Sequence, residues 1–303
     1  MECTILLTYW LASCSVRSAA LRESMLLNGL PGRRQEKGAK KPGTEKFKYA
    51  VYKEKPMERA STGVRGFDDL IQGGFPKNSD NVICGPPGSG KTIFGLQFLY
   101  HGCMQNEPGV YVSVEEDSQK LIEQANQFSW DLAKLQHEKK LCFVKVPVDT
   151  VDTDLLKLIS DAVDSMHAER LVIDSLSILG LNWRMYNLPI KTEYSGGFGS
   201  PRKESSLVPG FEMQQFIYLL LNYLSEWKIT TVCLSDSDQG RTITRDSVSE
   251  YICDGLIRLD VREFGKTVVR TVEVKKMRST RVNPGVHTLD FTNNGLEISE
   301  FKW

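Results

Sequence analysis

Residues 81–92 read NVIC-GPPGSGKT, and the chain runs on through 92–102 as TIFGLQFLYHG. Asn81–Cys84 is an apolar run of strand type, and a helical pattern spans about Lys91 to Met104. Between them, residues 85–92 match G-x-x-x-x-G-K-[ST]. Glycines there can take positive φ and let the backbone approach a phosphate closely. Successive N–H groups then point into a nest, reinforced by the positive end of the following helix. Lys91 supplies a point charge for β- and γ-phosphates, and Thr92 offers a hydroxyl to Mg²⁺. The expected cradle is Gly85, Pro86, Pro87, Gly88, Ser89, Gly90, Lys91, Thr92 and Ile93.

Outward from this motif, β-rich runs alternate with helical patterns. Strands are expected at Val110–Val114, Leu141–Val146, Leu171–Ile173 and Thr230–Leu234. Helices are expected at Ser118–Phe128, Leu155–Met166 and Met213–Trp227. Such alternation implies an α/β fold with a mostly parallel central sheet and helices on both faces. The rhythm changes near the C-terminus. Leu256–Val261, Val268–Lys276, His287–Phe291 and Leu296–Ser299 read as strands with short connections, an antiparallel extension of the sheet. Residues 192–210, TEYSGGFGSPRKESSLVPG, read as a long loop.

A phosphate cradle needs a carboxylate on the metal side. Arg170–Asp174 reads RLVID, and ligands of open α/β sheets sit at the carboxyl ends of strands. Asp174 is therefore placed to hold a Mg²⁺ water shell with Thr92, or to cap the helix that follows. Hydrolysis also needs a group that orients and deprotonates water. The stretch YVSVEED puts Glu115 and Glu116 at the end of the strand after the cradle helix. If that strand lies beside the cradle strand, one of the two faces the γ-phosphate, because neighbours on a strand point opposite ways. The alternative is a charged strand end that caps the helix at Ser118.

Composition sets outer limits. The chain has 303 residues, with 38 Lys+Arg balancing 38 Asp+Glu. A zero net charge argues against dominance by nonspecific nucleic-acid or membrane attraction. With 41% hydrophobic residues, a sizeable core is within reach. Residues 1–56 read as a basic, disordered N-terminal extension, since 33–55 carry nine Lys or Arg against three Glu. The patterned domain is 57–303. Seven cysteines show no CxxC spacing and read as small core residues of a cytoplasmic protein. No apolar stretch is long enough to span a membrane.

Taken as a series, these segments resemble the KaiC-like ATPases of the RecA superfamily. STGVRGFDDLIQGGFP (61–76) resembles that family's opening segment, and GPPGSGKT, YVSVEED and LVIDS follow in the same order. SEYICDGLIRLD (249–260) and VKKMRST (274–280) resemble its later strand and its K-M-R-G-T segment. The resemblance implies a RecA-like P-loop NTPase that binds ATP and Mg²⁺. It also implies a homo-oligomeric ring, usually of six, with ATP between subunits. Lys276 and Arg278 would then reach the neighbour's γ-phosphate as trans-acting cations. The same charged run could instead blunt an open sheet edge. Two departures stand out: Ser279 replaces the family's usual Gly, and Val282 lies near the position of its usual His. Glu250-Tyr251 occupies the place where one clock-protein domain carries phosphorylatable residues, so autokinase activity is not expected.

Two other functions remain open at this level. A recombinase-like factor would bind DNA through 182–212 and 236–248, but the basic residues there are interspersed with Glu193, Glu204 and Glu212. A nucleotide sensor would bind ATP without useful turnover.

Overall fold

Strand residues of alternating parity enter two separate cores, which explains why the central strands are apolar at nearly every position. The structure is a computed structural model that describes residues 57–188, 212–237, 243–264 and 267–300. The expectations for 1–56 and 192–210 lie outside the described residues.

The strands are β1 (Arg59–Ala60), β2 (Phe75–Pro76), β3 (Asp80–Gly85), β4 (Gly109–Ser113), β5 (Leu141–Lys145), β6 (Thr153–Asp154), β7 (Arg170–Asp174), β8 (Tyr186–Asn187), β9 (Thr230–Asp236), β10 (Gly255–Phe264), β11 (Thr267–Met277), β12 (Val286–Thr292) and β13 (Gly295–Glu300). The helices are α1 (Phe67–Leu70), α2 (Lys91–Met104), α3 (Ser118–Asn126), α4 (Leu132–His137), α5 (Leu155–Met166), α6 (Leu176–Leu181), α7 (Glu212–Glu226) and α8 (Ser249–Ile252).

The main sheet runs β13-β12-β11-β10-β3-β9-β7-β4-β5 among the described residues. From β10 to β5 every pairing is parallel, and the β10–β11, β11–β12 and β12–β13 pairings are antiparallel. Period-two alternation sends Ile83, Tyr111, Val172, Val232 and Leu234 toward α2, α3 and α4. It sends Val82, Val112, Ile173 and Cys233 toward α5, α6 and α7. Both faces are thus covered, as a parallel sheet requires.

The helix patterns translate directly. In α5, Leu155, Leu156, Ile159 and Val163 are buried along one stripe. Asp154 caps its start by accepting from the Lys157 N–H at 3.0 Å, and His167 closes its end in the left-handed region at φ 48°. Helix α2 lies close over the sheet because Gly95 has no side chain; a Cβ there would stand 3.0 Å from Val172 Cγ1.

Cys84, Cys103, Cys233 and Cys253 are buried free thiols. Burial pushes the Cys84 and Cys253 thiols up to about 12 and Cys103 to about 11, which keeps them protonated and inert. No helix among the described residues is long and apolar enough to cross a membrane.

Candidate functional site

Parallel register brings the carboxyl ends of four strands to one edge of the sheet. Gly85 of β3 pairs with Asp236 of β9, Leu234 of β9 with Asp174 of β7, and Asp174 with Ser113 of β4. Above this edge lies a cavity of about 430 Å³. It is lined by Pro87–Ile93, Glu115, Glu116, Asp174, Ser175, Ile178, Asp236 and Phe291.

The cradle has the backbone that its glycines were expected to provide. Gly88 and Gly90 take φ of 75° and 102°, and Gly90 is the N-cap of α2. A Cβ on Gly90 would lie 3.0 Å from Phe291 Cζ. Arg270 reaches across from β11, donating from Nε to the Gly88 carbonyl at 2.9 Å. Its guanidinium also sits 4.9 Å from the centre of the Phe291 ring. Gly85 and Pro86 do not line the cavity; their carbonyls accept from Lys91 Nζ at 2.7 and 3.2 Å. Lys91 also pairs with Asp236 Oδ1 at 3.3 Å.

The metal-side pair is assembled across two elements. Thr92 Oγ1, in the first turn of α2, donates to Asp174 Oδ2 at 3.0 Å. Tyr111 Oη donates to the same oxygen at 2.6 Å and orients the carboxylate from β4. Burial pushes the Asp174 carboxyl up, against the pull of Tyr111, Thr92 and Lys91. Burial likewise pushes Tyr111 well up, so it remains a donor. The capping alternative for Asp174 does not hold, because Ser175 is the N-cap of α6 and its Oγ accepts from the Ile178 N–H at 3.4 Å.

Mg²⁺ is the ion such a cradle implies, and the donors present fit it. A hydroxyl and a carboxylate offer hard oxygens, and Mg²⁺ binds with few protein ligands while keeping several waters. No group of three or more His, Cys, Asp or Glu among the described residues has metal-site geometry.

The two glutamates depart from the sequence expectation in two ways. Strand β4 is not beside the cradle strand; β9 and β7 lie between them. Chain order cannot reveal this, since β9 inserts from far downstream. Moreover β4 ends at Ser113, so strand alternation no longer governs 115 and 116, and both line the cavity. Ser113 shapes the bend, with its Oγ donating to the Glu116 carbonyl at 2.6 Å and accepting the Glu116 N–H at 3.0 Å. The Glu116 carboxylate is tied down by Gln124 Nε2 at 2.7 Å. Burial pushes the Glu115 carboxyl above its ordinary range, and Asp174, Asp236 and Glu116 add to the shift while Lys91 opposes it. Neither glutamate caps α3, whose N-cap is Asp117.

Lys276 and Arg278 are absent from this cavity. They lie near the Gly255–Met277 pair, beside Asn81 at the amino end of β3, whereas the cradle follows its carboxyl end. Lys276 Nζ donates to the Glu250 and Tyr251 carbonyls at 3.3 and 3.1 Å. Arg278 donates to the Tyr251 carbonyl at 3.3 Å and pairs with Asp254 at 3.1 Å. Both cations thus donate to the Tyr251 carbonyl, although β11 ends at Met277 and Arg278 lies beyond it. Val274, Lys276 and Met277 pair with β10 around a bulge at Lys275 but pair with no residue of β12, so among the described residues this run also borders an open edge.

Sequence reasoning missed Tyr111, Asp236 and Phe291. Asp236 had a readable signal, since TTVCLSD ends an apolar strand in Asp as RLVID does. Phe291 had none, because it arrives through the fold of the antiparallel hairpin.

A cradle between a parallel strand and its helix, with a hydroxyl–carboxylate pair across the sheet edge, defines a RecA-type P-loop ATPase domain. The family model described as "ATPase: KaiC" matches residues 60–185 and 210–302, and the chain belongs to this KaiC-like ATPase family. A UPF0273 protein of Sulfurisphaera tokodaii is 30% identical over 262 residues, covering 81% of this chain and 83% of the relative. The circadian clock oscillator protein KaiC of Prochlorococcus marinus is 32% identical over 254 residues, covering 80% of this chain. This chain spans only 46% of that clock protein's length. The crystal structure of a KaiC-like protein from Pyrococcus horikoshii OT3 superposes with a TM-score of 0.66 at 30% identity. That match covers 80% of this chain and all (100%) of the other.

Proposed function

We propose that this chain binds ATP with Mg²⁺ in the cradle between β3 and α2 and hydrolyses it to ADP and phosphate. The observation that carries this reading is the 3.0 Å contact between Thr92 Oγ1 and Asp174 Oδ2 at the mouth of the Gly85–Thr92 turn. It joins the cradle helix to a second strand at the place where the metal of a P-loop site is held. The ion would neutralise charge between the β- and γ-phosphates. The backbone amides of 88–92 would bind the phosphates, and Lys91 would turn from the Gly85 and Pro86 carbonyls to phosphate oxygens. Glu115 would take the proton of the attacking water, because of the two glutamates lining the cavity it is Glu116 whose carboxylate is engaged by Gln124. A raised carboxyl pKa suits a base working near neutral pH.

Lys276 and Arg278 are at the wrong edge to serve their own cradle, yet they are grouped and partly exposed. In a closed homo-oligomeric ring they would reach the γ-phosphate of the adjacent subunit and stabilise charge there. Hydrolysis in one subunit would then depend on its neighbour.

The test is Mg²⁺-dependent phosphate release by purified protein. Lys91→Ala and Asp174→Asn should abolish it, and a wild type that neither binds nor hydrolyses ATP would refute the proposal.

A further inference from the structure

One cavity carboxylate is paired with Lys91 and has no task in the hydrolysis scheme. Asp236 closes β9, the strand between the cradle strand and the Asp174 strand. Its backbone is fixed on both sides: its N–H donates to Ser177 Oγ at 2.7 Å, and its carbonyl accepts from the Arg245 N–H at 3.0 Å. The side chain is thereby aimed at Lys91, with Oδ1 3.3 Å from Nζ. The Lys91 side chain is 12% exposed and that of Asp236 is 34% exposed, so the carboxylate lies on the open side of the pair. The ammonium group meant for phosphate is thus held by two carbonyls and one full negative charge.

We propose that Asp236 is a counter-ion that competes with the nucleotide's terminal phosphate for Lys91 and so sets the balance between triphosphate and diphosphate binding. The inference rests on the phosphate-cradle reading given above. A phosphate that engages Lys91 must draw it away from Asp236, and the carboxylate then faces the incoming anion without its partner. A triphosphate adds charge at the end of the cavity where Glu115 and Asp174 already stand, so it is penalised more than a diphosphate. The pair is partly exposed and water screens it, which limits the effect to about two- to fivefold in affinity.

The experiment is calorimetric titration of ATP and of ADP, each with Mg²⁺ and with chelator, into wild type, Asp236→Asn and Asp236→Glu. In Asp236→Asn both nucleotides should bind more tightly, and the ATP-to-ADP affinity ratio should rise about two- to fivefold with and without Mg²⁺. Asp236→Glu keeps the charge and should keep the wild-type ratio, which separates a charge effect from a merely structural one. Should Asp236→Asn fail to fold, Asp236→Ala also removes the charge and should shift the ratio the same way. A ratio that stays put in a folded, nucleotide-binding variant overturns the proposal alone. So does weakened ATP binding seen only with Mg²⁺, which would mark Asp236 as part of the metal's water shell. If every folded variant and the wild type bind neither nucleotide, the cradle reading itself falls and takes this one with it.

Discussion

Glu115→Gln isolates the proton-accepting step. The substitution keeps the volume and polarity of the side chain and removes its ability to accept a proton. Glu115 enters the cavity beyond the end of β4, and its carboxyl is held above its ordinary range by burial and by Asp174, Asp236 and Glu116. A positioned general base contributes about 10²- to 10⁴-fold, or about 2.7–5.4 kcal/mol at 1.36 kcal/mol per tenfold. The expected outcome is a loss of that size in kcat with ATP affinity kept or improved, since a negative charge has left the cavity. Glu116→Gln should cost about tenfold or less, because its carboxylate is engaged by Gln124 and the bend itself is held by its backbone, which the substitution leaves in place. The wild-type pH profile adds a second readout. A base must be deprotonated to work, so activity should fall as pH drops through a pKa above that of an ordinary glutamate, and Glu115→Gln should lose this acidic limb. Steady-state phosphate release and equilibrium ATP binding supply both measurements. If Glu115→Gln keeps most of its activity while Glu116→Gln loses it, the two roles are reversed and the argument from Gln124 is wrong.

Three further outcomes are expected. Mixing Lys91→Ala with Arg278→Ala subunits should restore phosphate release that neither gives alone, since mixed neighbours regenerate intact sites; no recovery in a mixture shown to co-assemble would refute the trans role. Asp80, at the amino end of β3, is buried, and its carboxyl is pushed up to about 7, with Asp254 adding to the shift. A raised folded-state pKa means that the folded chain holds this proton more tightly. Its stability contribution is complete below the unfolded value near 3.8 and is lost as pH rises through about 7. Asp80→Asn should therefore stabilise the protein at pH 8 relative to pH 5, by at most about 3 kcal/mol in denaturant unfolding, and an equal effect at both pH values would contradict this. Arg170 is fully buried, donating to Glu107 Oε2 at 2.7 Å and to the Ser61 and Phe98 carbonyls at 2.7 and 2.8 Å. Arg170→Ala should cost about 3–5 kcal/mol in urea unfolding, since it leaves Glu107 with Lys77 alone and takes a buried donor from the Ser61 and Phe98 carbonyls; a cost under about 1 kcal/mol would show that those groups find water.

Much of the fold was legible because its information is local. Helices α2 and α5 fall on their expected bounds, since side-chain periodicity and caps are properties of neighbouring residues. The cradle was legible for the same reason, as its glycines, lysine and threonine act within one turn. The short helices α4 and α6 were not, because runs of six residues carry too little periodicity to separate from loops.

By itself, the sequence determined the longer strands and helices, that the turn at 85–92 can wrap a phosphate, and that Asp174 ends a buried strand. Only the tertiary structure decided that β9 inserts between β3 and β7, which sets Asp236 against Lys91 and moves β4 away from the cradle strand. It also decided that Glu116 is restrained by Gln124, and that Lys276 and Arg278 gather at the far edge. The physical reason is that strand order is set by how two helical layers cover a sheet. That is a packing optimum over the whole chain, and no local stretch of residues encodes it.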